Sequence, residues 1–251
     1  MDLALQSIEQ QTYKAFEVIA VDDCSTDSTK DILKNWKTQL PINIIQGPGA
    51  GIGAALQSGF AQCQGEFIAR FDADDICLPN RLQHQVEKLG KNQHLGLIGS
   101  SVDCIDKNGS FLFKRNFPFS DNAIKKTLFF KNPFCHGSIM VRKDCLQIVG
   151  GWSPCRKVVE DYALWFRFLK HFQCENEETV LLKYRVHPDS DSISKRNQYD
   201  RRALTTRFVA LQKGQVSLIY ASFLPFIFVW AYLPHKMLRY IGARFFTKTR
   251  G

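Results

Sequence analysis

Apolar and polar positions along the first ninety residues follow two different periods. Short apolar runs of strand length lie at residues 16–23, 42–45 and 66–72. Between these runs, residues 25–36 and 78–90 carry apolar side chains three or four positions apart, which is the spacing of one buried helix face. Strands and helices that alternate in this way are typical of βαβ units. The pattern therefore predicts an α/β fold with a Rossmann-like, mostly parallel, doubly wound sheet.

Beyond residue 95 the alternation is looser, and the predicted elements are a hairpin, a strand, a helix and a last strand. The hairpin is predicted at 96–116, because Lys-Asn-Gly at 107–109 forms a turn between two apolar segments. The strand is predicted at 136–143, the helix at 159–172 and the last strand at 178–187. No internal repeat divides these elements, so we expect them to form one domain.

The C-terminal part of the chain differs from the rest in charge and hydropathy. Residues 195–251 carry eleven Lys or Arg and one acidic residue, whereas residues 1–194 carry 22 Lys or Arg and 23 acidic residues. Residues 217–234 are almost wholly apolar, but Pro225 interrupts the run and would kink a helix there. The run is also short for a spanning helix, which needs about 20 apolar residues. We therefore expect a domain at 1–194 and a helical, membrane-associating tail at 195–251.

The composition of this tail predicts the partners of the chain. An apolar segment followed by Lys and Arg favours a peripheral or re-entrant position on anionic lipid. The alternative is a helix that packs onto the domain. Basic residues among aromatic ones also occur in nucleic-acid-binding proteins, but no nucleic-acid motif accompanies them, so we expect no nucleic-acid partner.

Cysteine usage and the N-terminus predict where the chain works. The eight cysteines include no CxxC pair, which disfavours a zinc site and favours free thiols in a reducing cytosol. The first residues lack the charged and then apolar pattern of a signal peptide. Together with the basic tail, these features predict the cytoplasmic face of the membrane.

Two clusters of acidic residues follow predicted strands. Asp22 and Asp23 follow the first strand, and Asp72, Asp74 and Asp75 follow the third. Ligands of open α/β sheets bind at the carboxyl ends of the strands. Crowded carboxylates repel unless a cation lies among them, and Mg²⁺ and Mn²⁺ prefer such oxygen ligands. The functional interpretation is a metal bridge from Asp72 and Asp74 to a nucleotide diphosphate, and the alternative is a solvated turn in which Asp75 caps a helix.

A glycine-rich segment offers a competing interpretation. Residues 49–54, Gly-Ala-Gly-Ile-Gly-Ala, match the GxGxxA pattern of dinucleotide-binding turns, and Asp72 follows about twenty residues later. This pattern predicts a dinucleotide-dependent oxidoreductase. Against it, a pyrophosphate beside several carboxylates would meet repulsion unless a metal is present.

Further candidate residues lie near the end of the predicted domain. Glu160 and Asp161 begin a predicted helix, where they either complement the helix dipole or supply a general base. Arg185 and His187 end the last strand and suit phosphate oxygens, although a surface strand end has the same pattern. His136 fits either a ligand-binding or a core position.

Taken together, these segments resemble the family-two inverting glycosyltransferases of the GT-A fold. The resemblance covers about residues 3–195. The matching stretches, in the family's order, are SIEQQTYKAFEVIAVDDCSTDST, GIGAALQSGFAQCQGEFIARFDADDICLPNRLQHQ, NPFCHGSIMVRKD, GGWSPCRKVVEDYALWFR and YRVHPDSDSIS. Asp-Ala-Asp-Asp alone is a weak signal, whereas the ordered set is specific.

The resemblance implies roles for the acidic residues at the strand ends. Asp23, with Asp22 beside it, would bind the base of the nucleotide. Asp72 and Asp74 would form a DxD pair, in which Asp74 holds Mn²⁺ or Mg²⁺ and Asp72 contacts the metal or the ribose.

The resemblance also implies the catalytic groups. Asp161 would be the catalytic base, supported by Glu160. Arg185 and His187 would close over the diphosphate, and His136 would lie on the acceptor side. The base would take a proton from an acceptor hydroxyl, whose oxygen attacks the anomeric carbon opposite the leaving nucleotide diphosphate.

The N-terminus departs from the family pattern. The family normally begins with a further strand ahead of the helix that matches residues 3–11, and Met1 lies almost at that helix. That strand is central in the family's sheet, and its loss would leave two neighbours with unpaired backbone groups, each costing about 1–3 kcal/mol. Either the true start lies upstream, with Met1 internal, or the chain is a truncated and inactive homologue.

The sequence thus predicts a metal-dependent inverting glycosyltransferase. By resemblance its donor is a nucleotide sugar, specifically a UDP-sugar, and its acceptor is a glycan or a lipid-linked precursor in cell-surface glycan synthesis. Two alternatives stay open: a truncated homologue that acts as a membrane-bound binding protein, and the dinucleotide-dependent oxidoreductase.

Overall fold

The computed structural model of the protein describes residues 1–186 and 196–232. The strands in this part of the chain are β1 (Val18–Asp22), β2 (Ile42–Gln46), β3 (Phe67–Ala69), β4 (Ile76–Cys77), β5 (Leu95–Ile105), β6 (Phe111–Arg115), β7 (Met140–Arg142) and β8 (Gln173–Arg185). The α-helices are α1 (Asp2–Glu9), α2 (Thr29–Trp36), α3 (Ile52–Gln62), α4 (Arg81–Lys91), α5 (Asp121–Leu128), α6 (Lys143–Ile148), α7 (Glu160–Phe168), α8 (Arg196–Gln212) and α9 (Leu224–Tyr232). Two 3₁₀ helices lie at His136–Ser138 and Leu218–Phe223.

The predicted α/β class is confirmed, and the described strands form two sheets, one a parallel pair and the other mixed. β1 pairs with β2 in parallel. The other strands follow the order β3-β7-β5-β8-β4, with β6 on the edge of β5. In this second sheet β5 and β8 are parallel, whereas the remaining pairs are antiparallel. The sheet is therefore less parallel than the alternating pattern predicted, because the hairpin of β5 and β6 and the return strand β7 reverse the chain direction.

The main hydrophobic core surrounds α7. Trp165 and Phe168 of this helix are fully buried against α5, α6 and β7. α8 contributes Ala203 and Ala210 to the same core. The first helix of the predicted tail thus packs onto the domain, whereas the membrane and packing alternatives concerned the apolar stretch 217–234. The division at residue 194 is not tested beyond this packing and stays a prediction.

An apolar slot separates β1 from β3. In the described part of the chain, each of these strands hydrogen-bonds along one edge only, β1 to β2 and β3 to β7. The cavity between them has a volume of about 470 Å³ and is lined by both strands and by side chains of α1, α3 and α4. Ile19 and Ile68, in the middle of the two strands, are consequently half-buried, although strands inside α/β sheets are normally covered on both faces. This geometry is expected of two strands that lack a common neighbour.

The C-terminal segment after α8 consists of the second 3₁₀ helix and α9. Pro225 lies in the first turn of α9, where its missing N–H is tolerated, so it begins a helix instead of kinking a longer one. Leu218, Ile219 and Phe226 are 71–75% exposed. Among the helices of the described residues, none combines the length and the apolar character needed to cross a bilayer.

Candidate active site

The first acidic pair follows β1, and its two members have different environments. The carboxylate of Asp22 is buried, accepts a hydrogen bond from the Ser25 N–H at 3.0 Å and lies 3.4 Å from the Lys30 ammonium. Hydrogen bonding from Ser25, followed by the contact with Lys30, lowers the pKa of Asp22. Asp22 therefore closes the turn after β1, while Asp23 is half-buried and faces the glycine-rich segment.

The glycine-rich segment wraps around Asp23. The backbone N–H of Gly49 donates to Asp23 Oδ1 at 2.6 Å, and that of Gly51 donates to Oδ2 at 3.3 Å. Gly51 has a φ of +95°, which side chains rarely allow. At Gly53 an added Cβ would lie 2.2 Å from the carbonyl oxygen of Ser153. The dinucleotide interpretation is therefore wrong. The carboxylate of Asp23 already binds the amides of Gly49 and Gly51, and the backbone at Ser153 covers the start of α3.

The second acidic cluster follows β3 and contains three different carboxyl groups. Asp72 is half-buried and forms an ion pair with Arg70, whereas Asp74 is exposed. Asp75 is buried, and its Oδ1 accepts a hydrogen bond from the Arg185 N–H at 2.8 Å. Burial, and next the charge of Asp72, raises the pKa of Asp75 to about 7. The helix-capping alternative for Asp75 is wrong, since the next helix, α4, begins at Arg81.

Arg185 joins this acidic loop to the β5–β6 turn. Its Nε donates to the carbonyl of Asp74 at 2.7 Å, and its Nη1 donates to the carbonyls of Asp106 and Lys107 at 2.9 Å. These contacts fix the backbone of the acidic loop. The predicted role of Arg185 at the diphosphate stays a prediction, and His187 lies outside the described residues.

The acidic cluster fits a divalent cation bound together with a ligand. The described residues include no group of three His, Cys, Asp or Glu side chains that could enclose a metal ion, and all eight cysteines are free thiols. Mg²⁺, however, is commonly held by one or two carboxylates plus substrate phosphates. Asp72 and Asp74 supply two carboxylates, and the raised pKa of Asp75 reports excess negative charge beside them. A cation there would offset this charge.

Asp161 lies in the first turn of α7, directly after Glu160, and is buried. Its Oδ1 accepts the Tyr162 N–H at 2.6 Å, and its Oδ2 accepts the Asn132 amide at 2.8 Å. Burial, and next the charge of Glu160, raises the pKa of Asp161 to about 7. Glu160 itself lies 3.5 Å from the guanidinium of Arg202. The carboxyl of Asp161 can therefore exchange a proton near neutral pH.

His136 lies between two tryptophan rings. The indole N–H of Trp152 donates to His136 Nε2 at 3.1 Å, and the Trp165 ring lies edge-on at 5.8 Å between centroids. Burial, and next the charge of Arg70, holds the pKa of His136 well below its usual value. The imidazole is therefore neutral, and its predicted place on the acceptor side stays a prediction.

Two residues that the sequence did not single out connect this site. Arg70 pairs with Asp72, and its charge acts on Asp75, His136 and Asp161. It precedes the acidic cluster directly, but one cation among many gives no signal in the sequence. Asn132 was missed because the loop that carries it has no regular pattern.

Comparison with known sequences identifies related proteins. A family model described as glycosyl transferase family 2 matches residues 2–147. The chain is 33% identical over 203 residues to the amylovoran biosynthesis glycosyltransferase AmsE of Erwinia amylovora, covering 80% of this chain and 75% of that protein. It is 30% identical over 217 residues to the O-antigen biosynthesis glycosyltransferase WbnJ of Escherichia coli, covering 82% of each.

Solved structures show that other proteins share this fold. S. aureus TarS 1-349 in complex with UDP-GlcNAc matches with a TM-score of 0.68 at 17% identity, covering 88% of this chain and 65% of that chain. The mannosyltransferase PcManGT from Pyrobaculum calidifontis, in complex with GDP-Man and Mn²⁺, matches with a TM-score of 0.65 at 17% identity, covering 92% and 65%. The chain thus spans just under two thirds of these solved chains. The resemblance inferred from the sequence is confirmed: the chain has a GT-A-like α/β fold and belongs to glycosyl transferase family 2.

Proposed function

We propose that the chain transfers a sugar from a nucleotide-diphosphate sugar to an acceptor hydroxyl, with inversion at the anomeric carbon. The observation that carries this proposal is the buried carboxyl of Asp161, whose pKa of about 7 suits a general base at neutral pH. The charge of Arg70 acts both on Asp161 and on the acidic loop with Asp72 and Asp75. The base and the acidic loop therefore belong to one site.

The donor in this proposal is a nucleotide sugar, specifically a UDP-sugar. TarS was solved with UDP-GlcNAc and PcManGT with GDP-Man, which supports this class of donor for a chain of similar fold. Asp23 would contact the base of the nucleotide, and Asp22 would hold the turn beside it. Asp72 and Asp74 would hold Mn²⁺ or Mg²⁺.

The proposed chemistry is a single displacement. Asp161 removes the proton of the acceptor hydroxyl, and the oxygen forms a bond to the anomeric carbon as the bond to the nucleotide diphosphate breaks on the opposite face. Glu160 keeps the pKa of Asp161 high, which makes it a stronger base. A bound divalent metal supplies positive charge to the leaving diphosphate. Arg185, through its bond to the Asp74 carbonyl, positions the acidic loop, and His187 completes the proposed diphosphate contacts.

The proposed acceptor is a glycan or a lipid-linked precursor. The names of AmsE and WbnJ place those relatives in amylovoran and O-antigen biosynthesis, which supports a role in polysaccharide synthesis. His136 is proposed to lie on the acceptor side. The exposed apolar side chains of Leu218, Ile219 and Phe226 support attachment to the cytoplasmic face of a membrane.

Calorimetric titration of UDP into the purified chain, with and without Mn²⁺, tests the site. We expect binding that depends on Mn²⁺ and that the Asp74→Asn variant loses. Asp31→Asn is a matched control, because Asp31 is exposed on α2 away from the acidic loop and should leave binding unchanged. Equal UDP affinity with and without Mn²⁺ would contradict the metal-bridged site.

A second candidate function is a membrane-bound binding protein without transferase activity. The slot between β1 and β3 favours it, because the strands that precede Asp23 and Asp72 belong to separate sheets, and among the described residues each strand is paired along one edge only. Assays of UDP-sugar hydrolysis and of sugar transfer separate the two functions. Binding of UDP and Mn²⁺ without any turnover of UDP-sugars would support the second.

A further inference from the structure

The loop between α5 and the first 3₁₀ helix places a side-chain amide against the proposed base. Asn132 Oδ1 accepts the Phe134 N–H at 3.2 Å, and its Nδ2 donates to Asp161 Oδ2 at 2.8 Å. Because the oxygen of the amide is engaged by a backbone donor, the NH₂ group is the one that faces Asp161. The orientation of the amide is therefore set by its own loop.

The carboxyl of Asp161 is held from two sides. Tyr162 N–H binds Oδ1 along the helix, and Asn132 binds Oδ2 across the gap to the neighbouring loop. With one hydrogen bond on each oxygen, rotation of the carboxyl group would break both. The lone pairs of Asp161 that remain free are then held in a fixed orientation. A general base needs a fixed orientation, because it must meet the proton of the acceptor hydroxyl.

α8 supports both partners of this hydrogen bond. Arg207 of α8 donates to the carbonyls of Phe129 and Phe130, in the chain segment just before Asn132. The hydroxyl of Thr206 accepts the Val159 N–H at 3.0 Å, directly before α7, and Arg202 donates to the preceding carbonyl. Helix α8, which lies outside the stretch that the family model matches, thus holds the start of α7 and the loop of Asn132 in one arrangement.

We propose that Asn132 is a positioning residue that orients the Asp161 carboxyl group toward the acceptor hydroxyl, and that α8 holds the loop of Asn132 in place. The inference rests on the proposed function, in which Asp161 is the base. The hydrogen bond from Asn132 also lowers the pKa of Asp161, against burial and the charge of Glu160, which raise it. Asn132 thereby increases the fraction of Asp161 that is ionised at neutral pH.

Other titratable or charged groups face Asp161 from its own helix and from neighbouring elements. They are Glu160 and Tyr162 on α7, Arg70 after β3 and Tyr199 on α8. Substitution of Asn132 leaves all of these groups in the chain. In Asn132→Ala, which adds no charge, a change in the pH profile therefore reports the loss of the amide donor, whereas Asn132→Asp also adds a carboxylate beside Asp161.

The test compares Asn132→Asp and Asn132→Ala in the full chain with Asn116→Asp as the matched control. Asn132→Asp keeps the size of the side chain and the acceptor for Phe134 but loses the donor, whereas Asn116 is exposed and contacts Ser101 instead. We expect kcat at pH 7 to fall about tenfold or more in both Asn132 variants, with the KM for the donor within about twofold of the wild type. The pH of half-maximal kcat should move upward in both variants, whereas Asn116→Asp should leave it unchanged.

A second measurement does not depend on transfer activity. The free energy of unfolding is measured against pH for the wild type and for Asp161→Asn, and the difference between the two curves reports the titration of Asp161. In the Asn132→Ala background the midpoint of that difference should move to higher pH. An unchanged midpoint overturns the positioning role even if no transfer is detected, whereas absence of transfer in the wild type with a shifted midpoint would count against the proposed function alone. Variants that lose stability but keep the wild-type pH profile would also overturn it.

Discussion

The backbone N–H of Arg185 donates a 2.8 Å hydrogen bond to Oδ1 of Asp75 and so joins the end of β8 to the acidic loop after β3. Asp75 is 1% exposed, and its Oδ2 has no hydrogen-bond partner among the described residues. The raised pKa of this carboxyl, about 7, follows from that burial and from the charge of Asp72. The acidic loop is thus held by the carboxyl group of Asp75, whose ionisation lowers the free energy of unfolding.

Asp75→Asn is expected to stabilise the metal-free protein at pH 8 by on the order of 1–3 kcal/mol. The asparagine carbonyl can still accept the Arg185 N–H, and the buried charge disappears. Because the folded pKa lies above the unfolded value of 3.8, the folded state binds more protons between about pH 4 and pH 7. The contribution of Asp75 to stability therefore decreases as pH rises through this window. Urea unfolding from pH 4 to pH 8 measures it.

Two further results would complete that test. Titration of Asp161 also lowers the free energy of unfolding as pH rises, because its pKa is raised in the folded protein. The pH dependence of this free energy should therefore be reduced in Asp75→Asn and not abolished. Asp31→Asn, at an exposed position, should follow the wild-type curve. If the free energy of unfolding of Asp75→Asn changed with pH as steeply as that of the wild type, the carboxyl group of Asp75 would not titrate between pH 4 and pH 7.

Asp161→Asn is expected to abolish transfer, with a loss of about 10²–10⁴-fold, while nucleotide binding is largely retained. In the wild type, transfer should decline as pH falls below about 7, since Asp161 then takes up a proton. Initial rates from pH 5.5 to pH 9, with UDP titration of both proteins, measure these effects. Full transfer by the variant would remove Asp161 as the base.

Gly51→Ala is expected to destabilise the protein by about 1–3 kcal/mol and to weaken UDP binding. The φ of +95° and ψ of 171° at Gly51 lie in a region open essentially to glycine alone, and its N–H binds Asp23. Gly90→Ala is the control, since an added Cβ in α4 meets nothing within 4 Å and should stabilise the helix by about 0.5–1 kcal/mol. Thermal unfolding and UDP titration of both variants measure these effects. Equal stability and equal UDP affinity of the two variants would contradict the conclusion that the backbone at Gly51 requires glycine.

Deletion of residues 217–251 is expected to release the protein from membranes. A finer test replaces Ile219 and Phe226 with serine and measures sedimentation with anionic vesicles, where a clear loss of bound protein is expected. Phe111→Ser with Phe113→Ser, two exposed apolar residues on β6, is the matched control. If the protein without residues 217–251 still bound membranes as the full chain does, the C-terminal segment would serve only to pack against the domain.

Local patterns explain which parts of this molecule could be predicted. The apolar periods predicted α2, α4 and α7 and most strands, because each buries one face along a continuous stretch. They did not give α5, α6 or the two-residue strand β4, whose short sequences carry too few apolar positions for a period. They also made β3 too long, since the chain leaves the sheet at Arg70 to pair with Asp72.

By itself, the sequence determined the α/β class, the family and the acids that end the strands, since these depend on local pattern and on the order of motifs. Only the tertiary structure decided what those acids contact. Asp23 is bound by the amides of Gly49 and Gly51, and Asp161 by Asn132, 29 positions away. The environment of a carboxylate, and with it its pKa, depends on burial and on neighbours from distant segments, and no local pattern encodes these.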